Sequence, residues 1–231
     1  DIYVTAIDTS KISGSGFNKL FNTDATKHYN YCKYAPGEVK EHIYSSNEDD
    51  TCNNCYYVRT CISYGVTGDC TWLLCEQTLT ISGNGAMADY STEEPAPWGT
   101  KFRYLIIDDG VTNIGSMAFN GCVSLESIDI SECITLEKVG SYAFKGSTLT
   151  KIDFSKCTNL EVVEEGAFFA CYRLASVDFS NCNKLKTIGI SAFGGSNDVL
   201  GKCSNLRNVI FSEGSELEEI GNGAFKYCTR L

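Results

Sequence analysis

The residues best suited to do chemistry in this chain are its cysteines. Cys52-Asn53-Asn54-Cys55 is a C-x-x-C pair, with Cys32 and His42 upstream in a polar stretch. Thiolates at this spacing can chelate zinc, and three cysteines with one histidine form a structural ligand set. A metal on Cys32, His42, Cys52 and Cys55 would stabilise a segment that has little core of its own. The first expectation for these cysteines is a disulfide staple in an oxidising compartment; zinc and reduced thiols are the alternatives. A bridge between Cys70 and Cys75, which flank Trp72, is open as well.

The other cysteines follow a different logic. Cys133, Cys157 and Cys182 each stand three residues past a short apolar alternation. A buried thiol is small, apolar and a weak donor, so such residues can stack and meet backbone carbonyls at a turn. Three equivalent thiols cannot all pair among themselves, and they are expected to be free. Cys122, Cys171, Cys203 and Cys228 form a second periodic set and are read the same way. The total of 13 is odd, so at least one cysteine is unpaired, metal-bound or intermolecular.

A periodic set of acids comes next. Asp129, Asp153 and Asp178 lie between two apolar residues, and Ser131, Ser155 and Ser180 follow each at the second position. If these segments are strands in register, the acids form a column flanked by hydroxyls. Like charges side by side destabilise a sheet. The ordinary role of such a column is to keep an exposed sheet soluble. The alternative is a binding surface for a basic protein partner or a cation.

Catalytic constellations are missing. The only histidines are His28 and His42, and no nucleophile motif accompanies them. Ser82-Gly83-Asn84-Gly85 has no phosphate-loop lysine and reads as a turn. Glu164-Glu165 and Glu218-Glu219 read as solvated charges rather than a glycosidase pair. A net charge of −10 argues against nucleic acid and against anionic membrane surfaces. No apolar run is long enough to span a bilayer, so membrane insertion is not expected. No Asn-x-Ser/Thr sequon occurs. The chain begins at Asp1 without a leader, as a mature secreted protein or a trimmed fragment would.

The elements that must position these residues repeat. Ala-Phe recurs at Phe119, Phe144, Phe168, Phe193 and Phe225, at intervals of 25, 24, 25 and 32 residues. Between them runs L-x-x-I-x-I-x-x-C-x-x-L-x-x-V, as in Leu125, Ile128, Ile130, Cys133, Leu136 and Val139. The alternating pair sets two apolar side chains on one face of a short strand. One coil cannot bury that face alone, so coils stack and share a core. The Ala-Phe stretch is expected on the opposite wall, as a turn with a short strand or helical turn. The long interval holds about seven extra residues near Ser196–Lys202, expected as a surface loop. The copy Gly146-Ser147-Thr148-Leu149 is one residue short and lacks the cysteine.

These residues resemble the BspA-like leucine-rich-repeat family, whose repeat is similar to Ile114-Gly115 through Cys122 to Ile130. Trp72, the run Leu79–Met87 and Pro97-Trp98 resemble that family's opening unit. The resemblance implies a β-rich, α/β-type right-handed leucine-rich-repeat solenoid with a parallel sheet over about 102–231. A hairpin-containing cap over about 66–101 would precede it, after an irregular region rich in Cys and Tyr over about 1–65. It further implies a secreted or cell-surface module that binds a host extracellular or cell-surface protein without catalysis. The alternative is a self-associating subunit of an extracellular filament or surface layer.

Overall fold

The computed structural model describes residues 31–32, 40–41, 61–196, 203 and 205–231. The chain divides into two units, Asp1–Thr60 and Cys61–Leu231. In the first, β1 (Tyr31–Cys32) pairs antiparallel with β2 (Lys40–Glu41).

The second unit opens with an antiparallel meander. β3 (Cys61–Thr67), β4 (Cys70–Cys75) and β5 (Thr78–Gly83) pair in sequence order. The hairpin thus starts at Cys61, slightly ahead of the position expected from sequence. β6 (Gly85–Ala86) begins the second wall. The chain then coils. On the first wall β5 continues in parallel to β7 (Tyr104–Ile107) and β9 (Ser127–Asp129). β8 (Val111–Ile114) and β10 (Lys138–Val139), which follow β7 and β9 in turn, lie on the second wall. Later first-wall strands are β11 (Lys151–Asp153), β13 (Ser176–Phe179) and β15 (Asn208–Phe211), also parallel. The second wall adds β12 (Val162–Val163), β14 (Thr187–Ile188) and β16 (Glu219–Ile220). Its order is β6-β8-β10-β12-β14-β16, six parallel strands without a break.

The first wall is interrupted. No ladder joins β9 to β11, and the wall consists of a five-stranded and a three-stranded sheet. The break falls where the coil is one residue short. A missing residue between Phe144 and Leu149 shifts the approach to β11, so its amides cannot meet the carbonyls of β9 in register.

A third side of each coil carries the Ala-Phe pair. Among the described residues there is no helix, and the β-rich solenoid is built of short strands and turns. The reason is local. Phe119 donates its N–H to Ala143, Phe144 to Ala167, Phe168 to Ala192 and Phe193 to Ala224, at 2.7–2.8 Å. These amides bond to the next coil and not to a residue four back. The residue before each Ala is left-handed: Met117, Tyr142, Gly166, Ser191 and Gly223 have φ of 52–65°.

The core is built of columns. Phe119, Phe144, Phe168, Phe193 and Phe225 stack face to face with centroids 5.0–5.4 Å apart. That distance matches the ~4.8 Å strand spacing of the walls. A second column, Phe154, Phe179 and Phe211, meets the first edge-on through Phe168 and Phe193. Trp98 starts the first column by stacking on Phe119, and its indole N–H donates to the Ala118 carbonyl at 3.0 Å. Ile152 and Val177 are buried as the alternation requires, and Ile128 and Val209 are partly buried against the same core.

Candidate functional site

The acids expected to form one column sit on three short strands, Asp129 exposed and Asp153 and Asp178 half-buried. In β11 and β13 the residues flanking each Asp are buried Ile152 and Phe154, or Val177 and Phe179. Asp153 and Asp178 are register partners across that sheet. Asp129, on β9, pairs instead with Ile106 on the other side of the break. The column is therefore a pair plus a separate third member. In the next coil Ile210 takes the acid's place and is exposed.

Each carboxylate closes the turn that ends its strand. Asp129 Oδ1 accepts from the Ser131 N–H at 3.0 Å and the Ser131 hydroxyl at 2.7 Å. Asp153 Oδ1 accepts from the Ser155 N–H at 3.1 Å, and Asp178 Oδ1 from the Ser180 N–H at 2.8 Å. This is the side-chain-to-backbone bond two residues on that favours Asp at turns. Lys151 also donates to Asp153 Oδ2 at 3.0 Å. The Ser155 hydroxyl, and after it Lys151, hold the Asp153 carboxyl below its usual range. Among the described residues no donor meets the second oxygens of Asp129 and Asp178.

Beside the acids lies a surface that sequence reading passed over. A row of register partners crosses the five-stranded sheet: Tyr64, Leu73, Thr80, Ile106 and Asp129. All lie on the outer face, opposite buried Trp72, Leu79, Ile81, Leu105 and Ile107. Val66 and Tyr104 flank the row at 69 % and 42 % exposure, and Tyr64 is 46 % exposed. Period-two alternation marks Leu73 and Ile106 as outward, but only the strand pairing places them beside Tyr64 and Asp129.

The periodic thiols are free and turned inward. Cys133 Sγ donates to the Val111 carbonyl at 3.5 Å, and Cys182 Sγ to the Phe154 carbonyl at 3.1 Å. Cys157 faces the Ile130 carbonyl at a longer 3.9 Å. In the second set Cys171 donates to Phe144 and Cys228 to Phe193, and Ser147 takes the missing cysteine's place 3.4 Å from Cys171 Sγ. The open Cys70–Cys75 pairing does not form. Cys70 is a free, buried thiol facing the Gly85 carbonyl at 3.4 Å, and Cys75 is bridged elsewhere. Five residues apart on one strand, the two side chains leave opposite faces.

The expected zinc ligands His42, Cys52 and Cys55 lie outside the described residues, as does the Cys32 side chain. Among the described residues no three His, Cys, Asp or Glu side chains gather as a metal set. No helix among them is long and apolar enough to cross a membrane.

A family model described as a BspA-type leucine-rich-repeat region matches six copies over residues 98–231. Among solved structures, the pneumococcal vaccine antigen PcpA is 20 % identical, with a TM-score of 0.44 over 72 % of this chain. The chain spans only 42 % of that protein. A leucine-rich-repeat protein of T. pallidum is 21 % identical, with a TM-score of 0.31 over 73 % of this chain and 87 % of that one. A leucine-rich cell-surface protein of Faecalibacterium prausnitzii is 20 % identical, with a TM-score of 0.28 over 73 % of this chain and 53 % of that one. No curated protein matches the chain.

Proposed function

The chain belongs to the BspA-type leucine-rich-repeat family, and from that premise we propose that it is a non-catalytic, cell-surface or secreted module that binds another protein through its first wall. One observation carries the reading. The outer face of the five-stranded sheet presents Tyr64, Val66, Leu73, Tyr104 and Ile106 side by side, with Asp129 at its edge and Asp153 and Asp178 beyond the break. Tyrosine is among the residues enriched at protein interfaces and their hot spots. The acids and the charge of −10 select the partner's chemistry: an exposed apolar patch bordered by Lys or Arg.

The test begins with capture of extracellular host proteins on the immobilised chain, followed by affinity measurement on the purified partner. Replacing Asp129, Asp153 and Asp178 with Asn should slow association and flatten its salt dependence. Tyr104→Ala should speed dissociation by about tenfold, as for an aromatic contact at an interface centre. Unchanged affinity and unchanged salt dependence in both variants would place recognition elsewhere. A filament or surface-layer subunit would instead sediment as a concentration-dependent oligomer without any partner.

A further inference from the structure

A groove lined by basic residues lies beside the short coil. Neighbouring coils pass from Phe119 to Leu125 and from Phe168 to Leu174, whereas this one passes from Phe144 to Leu149 with one residue fewer. Gly146 turns the chain with φ of 70°. Thr148 is drawn in until only 7 % of it is exposed. Its hydroxyl lies 3.1 Å from the Val123 carbonyl and 2.9 Å from the Leu125 carbonyl, sharing its proton between them. The groove, of about 310 Å³, lies over this corner.

The groove reverses the sign of the molecule. Lys101, Arg103 and Arg173 line it, with Glu126 the one acid among its lining residues. Arg103 grips Glu126 through Nε at 2.9 Å and through Nη2, both on the same carboxylate oxygen. Neither Lys101 nor Arg173 forms an ion pair among the described residues. Arg173 only lies over the Tyr172 ring. Two uncompensated cations on a chain of charge −10 concentrate the local field and favour an anionic visitor.

Spacing decides which anion. Lys101, Ser124, Thr148 and Arg173 each precede the core residue of their coil, Phe102, Leu125, Leu149 and Leu174. They stand on successive coils, so Lys101 and Arg173 are three steps, ~14 Å, apart. A ligand that carries two acidic groups on a stem meets both cations while each side chain stands out from its own coil. In an extended peptide at ~3.4 Å per residue, acids four positions apart span that distance. Between the cations the lining is neutral Ser124 and Thr148, with Glu126 beside them. Glu126 would repel a densely sulfated glycan, but its free oxygen can accept from a peptide N–H. We propose that this corner binds an extended acidic peptide segment, with acidic side chains four residues apart on Lys101 and Arg173.

The peptide test needs no partner for the sheet face, so this inference and the binding reading above fail independently. The probe is fluorescein-labelled Glu-Ser-Gly-Ser-Glu, followed by fluorescence anisotropy on the full chain at low salt. A Glu-Glu-Ser-Gly-Ser peptide and a heparin octasaccharide serve as comparison ligands. Binding should weaken about tenfold in the double variant Lys101→Gln, Arg173→Gln, as expected for loss of both anchoring charges. It should be unchanged in Lys138→Gln, Lys186→Gln, which removes two cations tied to Glu164 and Glu161 away from the groove. Inserting one serine after Ser147 should abolish binding by raising the floor; if that chain does not fold, the charge variants decide. Four results overturn the proposal: no peptide binding, equal loss in both double variants, no preference for the separated acids, or tighter binding of the octasaccharide.

Discussion

At the scale of single residues, the stacked thiols set a chemical property of the folded chain. Burial pushes Cys122, Cys133, Cys171 and Cys182 up to about 12, and it raises Cys157 too. An unfolded thiol titrates near ~8.5. The stabilisation from keeping these thiols protonated is complete below that value. It is lost as pH rises towards 12, because only the unfolded chain releases the protons on the way. Each thiol contributes a slope of about 1.4 kcal/mol per pH unit in that window. Cys182→Ala should therefore be less stable at neutral pH yet lose stability less steeply on the alkaline side, read from urea midpoints. Equal slopes would mean that Cys182 is not a buried thiol. Iodoacetamide should spare Cys133, Cys157 and Cys182 in the native chain and modify all three after denaturation. The thiols were legible in the sequence because their period matches the core's. The turn-closing role of Asp129, Asp153 and Asp178 was less so, because the Asp-x-Ser spacing shows its purpose only once each strand's end is known.

At the scale of elements, the third side of the coil holds both strain and close approach. Met117 is left-handed with φ of 53°, which costs a non-glycine residue about 1–2 kcal/mol. Met117→Gly removes that cost but adds unfolded-chain entropy, so a net gain of about 0.5–1 kcal/mol is expected in chemical denaturation. Gly140 behaves in the opposite way. A Cβ there would stand 2.7 Å from the Ile114 carbonyl oxygen and 2.7 Å from the Ser116 nitrogen, both backbone atoms of the preceding coil. Gly140→Ala should destabilise by about 1–3 kcal/mol, and a neutral result would show that the coils are not this close. The left-handed position was hidden in the sequence. Gly166 and Gly223 suggest it, but Met117, Tyr142 and Ser191 at equivalent places conceal it. The break between β9 and β11 was half visible: the missing residue could be counted, while its effect on the ladder could not.

At the scale of the molecule, the ring column ties the coils into one core. Phe168 is stacked on both sides and fully buried, so Phe168→Ala should cost about 3–5 kcal/mol. Among the described residues Phe225 has a stacked neighbour on one side only and is partly exposed, and in this chain its loss should cost about half as much or less. Comparable losses at both positions, measured by denaturant titration, would contradict a core built coil on coil. This column was the most legible feature of the sequence, because periodic Phe with periodic Leu has few other packings. The corner groove was the least legible, since its cations come from coils far apart in the chain and the net charge points the other way. The short coil has one more consequence, for how the chain finds its own fold. Coils with the same Phe, Leu and Cys are nearly interchangeable, and a coil docked one place out of step would still bury most of the same groups. Thr148 cannot be exchanged in that way, because its hydroxyl meets two carbonyls at once, those of Val123 and Leu125, just ahead of the break in the first wall. The irregularity is an address: it tells the chain which coil is third, and a solenoid made perfectly regular would lose that information while gaining hydrogen bonds.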